Sequence, residues 1–172
     1  ARIRERPSHV GRYWDTIADT IGLIIVTYAF GQYLGWSGVY ISGIVVAVLF
    51  QYSLFNHFSV RARGLGLGDD TSRIDEKICP VAKPWEKQIH VNFLHKIYLV
   101  GFSWQDQIID RMTGKGSKNL SFELTISSML GYGFQSIIIL ILGLSMKINL
   151  LDDLVLYVNS IVMIVVIIRS CF

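Results

Sequence analysis

Four stretches of this chain are long, apolar and almost free of charge: residues 17–34, 38–58, 124–146 and 150–168. A helix advances about 1.5 Å per residue, so roughly 20 apolar residues cross a hydrocarbon layer about 30 Å thick. No water reaches the backbone there, and a crossing segment must satisfy its own hydrogen bonds as a helix. Only 17% of the residues are charged, against about 25% in soluble domains, and nearly all of those charges fall in 1–20 and 59–123. A soluble core would break its apolar residues into short periodic runs instead. The expected fold is all-α and membrane-integral: four transmembrane helices in two hairpins, with a short interfacial amphipathic helix between them.

The expected segments are a basic N-terminal stretch 1–16, a first hairpin 17–58, a polar central loop 59–123, a second hairpin 124–168 and a tail 169–172. Gly35, Trp36, Ser37 and Gly38 link the first pair; residues 147–149, with Asp152 and Asp153 just beyond, link the second. Each stretch is long enough to span by itself, which disfavours re-entrant loops. Positive residues stay on the side from which a membrane protein inserts. Fifteen of the sixteen Lys and Arg residues fall in 1–16, 59–122 and 169–172, leaving Lys147 on the opposite side. Both termini and the central loop are thus expected on the cytosolic or matrix face. Residues 1–12 carry Arg2, Arg4, Arg6 and Arg12 against Glu5. They are too polar for a secretory signal, which needs an apolar centre, and suit the remainder of a removed targeting presequence.

The central loop has structure of its own. Gly64–Gly68 alternates glycine and leucine and then meets Asp69 and Asp70, a composition of exposed chain. No strand precedes it and no Lys-Ser or Lys-Thr follows, which argues against a phosphate loop. Pro80 and Pro84 bracket an irregular turn. In residues 89–104, Ile89, Phe93, Ile97 and Val100 recur at helical spacing among Lys87, His90 and Lys96. That mixture suits a helix lying in the membrane interface; a fifth span is the alternative. Arg12, Arg61, Arg63, Lys87 and Lys96, with Trp85 and Trp104, are the expected lipid contacts, because basic residues meet anionic headgroups and aromatic rings sit at that depth. A bound phospholipid such as cardiolipin is expected, and no other cofactor.

No segment carries a catalytic signature. Asp15 and Asp19 share a face, but carboxylates at a helix N-terminus gain from the macrodipole, and Glu123, Asp152 and Asp153 take the same reading. Gln135 and Asn159 lie well inside the third and fourth spans, where amides hydrogen-bond across helices; a quinone or ion site is the sharper alternative. Gly22, Gly31, Gly35, Gly43, Ala47 and Gly131 are expected to let helices approach closely. His9, His57, His90 and His95 form no metal set: His90 and His95 are badly offset for one helical face, and His57 has no apparent partner. Cys79 and Cys171 match no metal spacing and read as unpaired thiols.

Residues 128–133, Ser-Met-Leu-Gly-Tyr-Gly, resemble a span of the Yip-type trafficking proteins; the resemblance covers six residues of 172, the long loop before them departs from that family, and no fold, role or residue is carried over from it. The expected function is that of a non-catalytic accessory subunit in a multi-subunit membrane complex. The mitochondrial inner membrane is favoured, as part of a respiratory or ATP-synthase assembly. Expected partners are membrane lipids and other transmembrane subunits, not nucleic acid. The alternatives are a small endomembrane protein in membrane shaping or trafficking, and an oligomeric transporter or channel protomer.

Overall fold

The computed structural model describes residues 7–65, 78–113 and 120–171, with helices and no strand among them. Arg2, Glu5 and the other residues up to Arg6, most of the glycine-rich stretch with Asp69 and Asp70, and Phe172 lie outside the described residues. The helices are α1 (His9–Tyr33), α2 (Gly38–Leu65), α3 (Gln88–Met112), α4 (Leu120–Ser127), α5 (Tyr132–Leu144), α6 (Leu151–Asp153) and α7 (Asn159–Cys171). A 3₁₀ turn over Ser128–Leu130 joins α4 to α5, and a π-helical turn over Leu154–Val158 joins α6 to α7. Three helical stretches, two of them with the interruptions just given, are long and apolar enough to cross a membrane: Gly38–Gly64, Leu120–Leu144 and Ile148–Cys171.

α1 is as long as these, at 25 residues, but Asp15, Asp19, Thr16, Thr20, Thr27 and Gln32 dilute its apolar surface. It begins at His9 rather than at residue 17, because Ser8 caps it: the Gly11 amide donates to Ser8 Oγ at 2.9 Å, which satisfies one of the first-turn donors. Asp15 and Asp19 therefore lie inside the helix, a correction to the capping role read from the sequence. α1 ends where Gly35 takes φ +71°. The Trp36 amide reaches back to the Gly31 carbonyl at 2.8 Å and the Gly35 amide to Gln32 at 3.1 Å, the paired bonds of a Schellman cap. α5 closes in the same way, with Met146 at φ 55° in the glycine's place and the Lys147 amide on the Leu142 carbonyl at 2.8 Å.

α2 is the central helix, packed by α1, α3, α4 and α7. Near the Gly35 turn, Leu23, Ile44, Val48, Ile148, Leu151 and Val155 form one cluster. At the other end, Leu54 and Phe58 meet Ile109, Leu130 and Val166 in a second. A third joins Tyr13 of α1 to Val91, Leu94, Tyr98 and Phe102 of α3.

α3 runs to Met112, past the 104 boundary read from the sequence. Its buried face holds Val91, Leu94, Tyr98, Phe102, Gln105 and Ile109, while Ile89, Phe93, Ile97 and Val100 lie on the exposed side. The helix thus has apolar residues on opposite faces, and a single-sided pattern of 89, 93, 97 and 100 captured only the outer one.

Candidate functional site

A polar cluster occupies the place where α2, α5 and α7 meet. Gln51 lies midway along the helix Gly38–Gly64 and Asn159 midway along Ile148–Cys171; Gln135 comes from α5, four residues after Gly131. All three amides are almost fully buried. Asn159 Nδ2 donates to Gln51 Oε1 at 3.0 Å and to Gln135 Oε1 at 3.1 Å. Gln135 Nε2 donates to Asn159 Oδ1 at 3.2 Å and to the Met129 carbonyl at 2.6 Å. Gln51 Nε2 donates to the Val155 carbonyl at 2.8 Å.

The two backbone acceptors are where helical geometry is interrupted. Gly131 is extended, with φ −70° and ψ 147°, so the helix breaks and the Met129 carbonyl turns to Gln135. A Cβ at Gly131 would stand 3.1 Å from Phe55 ring atoms and 3.0 Å from the Ser128 carbonyl, which explains the glycine. Val155 belongs to the π-helical turn, whose wider coil displaces carbonyls from their usual partners. The amides therefore complete the backbone at two irregular points and join three helices.

Sequence reasoning singled out Gln135 and Asn159 but missed Gln51. The signal for it was present, since a lone amide in an uncharged span of that length is expensive in lipid unless it has a partner. A polar seam between α2 and α3 was also missed. Ser53 Oγ donates to Gln105 Oε1 at 2.6 Å, and Thr113 Oγ1 and His57 Nε2 are hydrogen-bonded at 3.1 Å. His57 therefore has a partner, contrary to the expectation. Gln105 and Thr113 lie beyond the 104 boundary, which hid them.

The small residues divide. A Cβ at Gly31 would stand 2.5 Å from Ile41 Cγ1, and one at Gly22 3.2 Å from the Tyr132 hydroxyl. Ala47 packs beside the first cluster, and Gly35 serves the turn. Gly43 faces open space, so no helix in this structure approaches it. Glu123 is fully buried in the first turn of α4.

The basic and aromatic residues lie on α1, at the end of α2, on α3 and in the turn before it. The Arg12 guanidinium lies 4.7 Å above the Tyr13 ring and 6.0 Å from that of Tyr98. Arg61 is half-buried, and Arg63, exposed, donates to Ser59 Oγ at 3.0 Å. Lys87, Lys96, Trp85 and Trp104 are exposed. Trp85 Nε1 donates to the Pro7 carbonyl at 3.1 Å. Beside it, Glu86 Oε1 accepts from Ser8 Oγ and the Val10 amide, both at 2.7 Å, and Oε2 accepts from the Lys83 amide at 3.3 Å. Burial by itself raises the Glu86 pKa, but the bonds from Val10, Ser8, Lys83 and the His9 backbone together hold it below the ordinary carboxylate value. This carboxylate clasps residues 83–86 to the start of α1.

Cys79 and Cys171 are free thiols. Among the described residues no three His, Cys, Asp or Glu side chains converge to hold a metal ion. No family model matches the sequence, and no curated protein or solved structure shows significant similarity to it.

Proposed function

We propose that this chain is a non-catalytic structural subunit of a larger membrane assembly, built as four transmembrane helices in two antiparallel hairpins. The observation that carries this reading is the amide cluster. Its carbonyl oxygens already accept hydrogen bonds from within the cluster, and both donors of Asn159 and of Gln135 are taken up there. Such a cluster fixes helix register and offers a ligand little. Ionisable side chains within the bilayer mark many proton and ion pathways, and the cluster contains none.

α1 completes the four-span layout. From Trp14 to Tyr33 it rises about 29 Å, which matches a hydrocarbon layer, with an aromatic ring at each end as interfacial anchors require. Asp15 and Asp19 then sit in the first turns below the surface, and the short turns at Gly35 and Met146 face the opposite side. The basic surface suits a membrane with anionic lipid facing the termini, and the mitochondrial inner membrane is our first assignment. An endomembrane protein in membrane shaping or trafficking is the alternative.

The test is copurification from native membranes with mass spectrometry, followed by replacement of Gln51, Gln135 or Asn159. The reading expects a lower yield of assembled complex and nearly unchanged turnover in whatever complex assembles. A variant that assembles normally but loses transport or turnover would overturn it. That result would favour a transporter protomer, a reading supported by the facing of a broken helix and a π turn across polar groups.

A further inference from the structure

We propose that α3 is an in-plane helix seated at the boundary between headgroups and hydrocarbon, and that its exposed apolar face takes membrane lipid, with anionic headgroups at Lys87 and Lys96. The proposal rests on the membrane layout above and adds a lipid-binding surface to it.

Three stripes run along α3. One is buried against α1 and α2 and ends in Gln105, bonded to Ser53, and Ile109. The opposite one is apolar and open: Ile89, Phe93, Val100 and Trp104 are 71, 64, 82 and 46% exposed. Between them, along one edge, lie Asn92, Lys96, Ser103, Asp106, Gln107 and Asp110, at offsets of three, four and seven that share a helical face; His90 and Arg111, near the two ends of the helix, are the exposed charged or titratable side chains off that edge. A helix standing in water would not show an apolar outer face, and a helix crossing the bilayer at the outside of the bundle would not expose charges such as Lys96 and Asp110 along one edge from its middle to its end. A helix lying in the interface needs both.

The packing gives the same orientation. At 25 residues, α3 is about 37 Å long. Were it upright beside α1, its far end would lie beside Gly31. Instead its start is clasped to α1 through Glu86, Ser8 and Val10, its middle meets Tyr13 and Ile17, and its end reaches Ser53 and His57 of α2. Ser8 to Ile17 covers only about 14 Å of α1. α3 therefore stays within one end of the helices and crosses from α1 to α2.

Charge selects the lipid. At the start and on the first half of α3, Lys87 and Lys96 are both exposed, and the neighbouring Glu86 carboxylate is engaged by the clasp. Asp106, Asp110 and Arg111 surround the second half, so anionic headgroups belong at the start of the helix.

The test uses the full chain in nanodiscs, with Cys79→Ser and Cys171→Ser as background and a fluorophore on Val100→Cys or Gln107→Cys. Brominated lipids with the bromine near the carbonyl end should quench the Val100 label more than lipids brominated near the chain end. The Gln107 label should respond to an aqueous quencher. Exchanging Lys87 and Lys96 for Gln should lower phosphatidylglycerol enrichment around the protein about fivefold per lysine. Stronger quenching of Val100 from the bilayer centre would mean a crossing helix and overturn the proposal. So would shielding of Val100 from both lipid and water, which would mean a protein partner on that face. Labels at Ser37 and Asn149 in the same nanodiscs report the span layout separately: if they lie on the clasp side, the four-span reading fails on its own terms.

Discussion

Replacing Asn159 by Leu isolates the energetic role of the amide cluster. Three of its five hydrogen bonds run through this side chain. Interhelical hydrogen bonds in membranes contribute about 0.6 kcal/mol each on average, so their loss alone costs about 2 kcal/mol. Gln51 Oε1 and Gln135 Oε1 are then left without donors, and an unsatisfied buried group adds about 1–3 kcal/mol. A total of about 3–5 kcal/mol is expected for Asn159→Leu, since the remaining amides can rearrange to give one of the two oxygens a donor. The informative comparison is the triple replacement Gln51→Leu, Gln135→Leu and Asn159→Leu. Removing all partners together leaves only the Met129 and Val155 carbonyls short of a donor, so its cost should not exceed that of Asn159→Leu alone. Equilibrium unfolding in mixed detergent micelles, followed by tryptophan fluorescence, measures both. If the triple variant loses the sum of the three single losses, the cluster is not a mutually dependent unit and the reasoning fails.

Gly31→Ala drives a Cβ to within 2.5 Å of buried Ile41 and should cost about 1–3 kcal/mol by overpacking; Ile41→Ala in the same chain should recover part of it in the same assay. The Glu86 clasp should respond to acid. Its folded pKa lies below the ordinary 4.5, so its contribution is present above that value and is lost as pH falls through the folded pKa. Hydrogen exchange of residues 78–87 should rise over that window, and Glu86→Gln should flatten the dependence; an unchanged profile in the variant would exclude the clasp as its source. Cysteines at Ser37 and Asn149 should be labelled from the side opposite the termini, and labelling solely from the terminal side would refute the four-span layout.

The charge-free stretches made three of the helices readable, because lipid tolerates almost nothing else at that length. Their ends were less readable. Ser8 as a cap and Glu86 as its remote partner moved the start of α1 back to His9, and a bond between residues 78 positions apart leaves no local trace in the sequence. The sequence pattern of α3 is visibly amphipathic but fades after Trp104, since Gln105 and Thr113 look like solvent-facing polar residues until Ser53 and His57 are placed beside them. Gln135 and Asn159 announced themselves by their isolation. What could not be read is that they bond to each other and to Gln51, because this depends on the break at Gly131 and the wide turn at Leu154–Val158.

Gln51 and Asn159 are 108 positions apart, and that separation bears on how the protein is made. During synthesis at about 5–20 residues per second, the segment carrying Gln51 is complete roughly 5–20 s before Asn159 exists. If insertion keeps pace with the ribosome, an amide without its final partner waits in the bilayer for that interval. Gln135 emerges before Asn159 as well, so the last span closes the set. Biogenesis of this chain thus has a vulnerable window with a defined end, and a truncation just before Asn159 should leave the earlier helices bound to insertion or quality-control machinery.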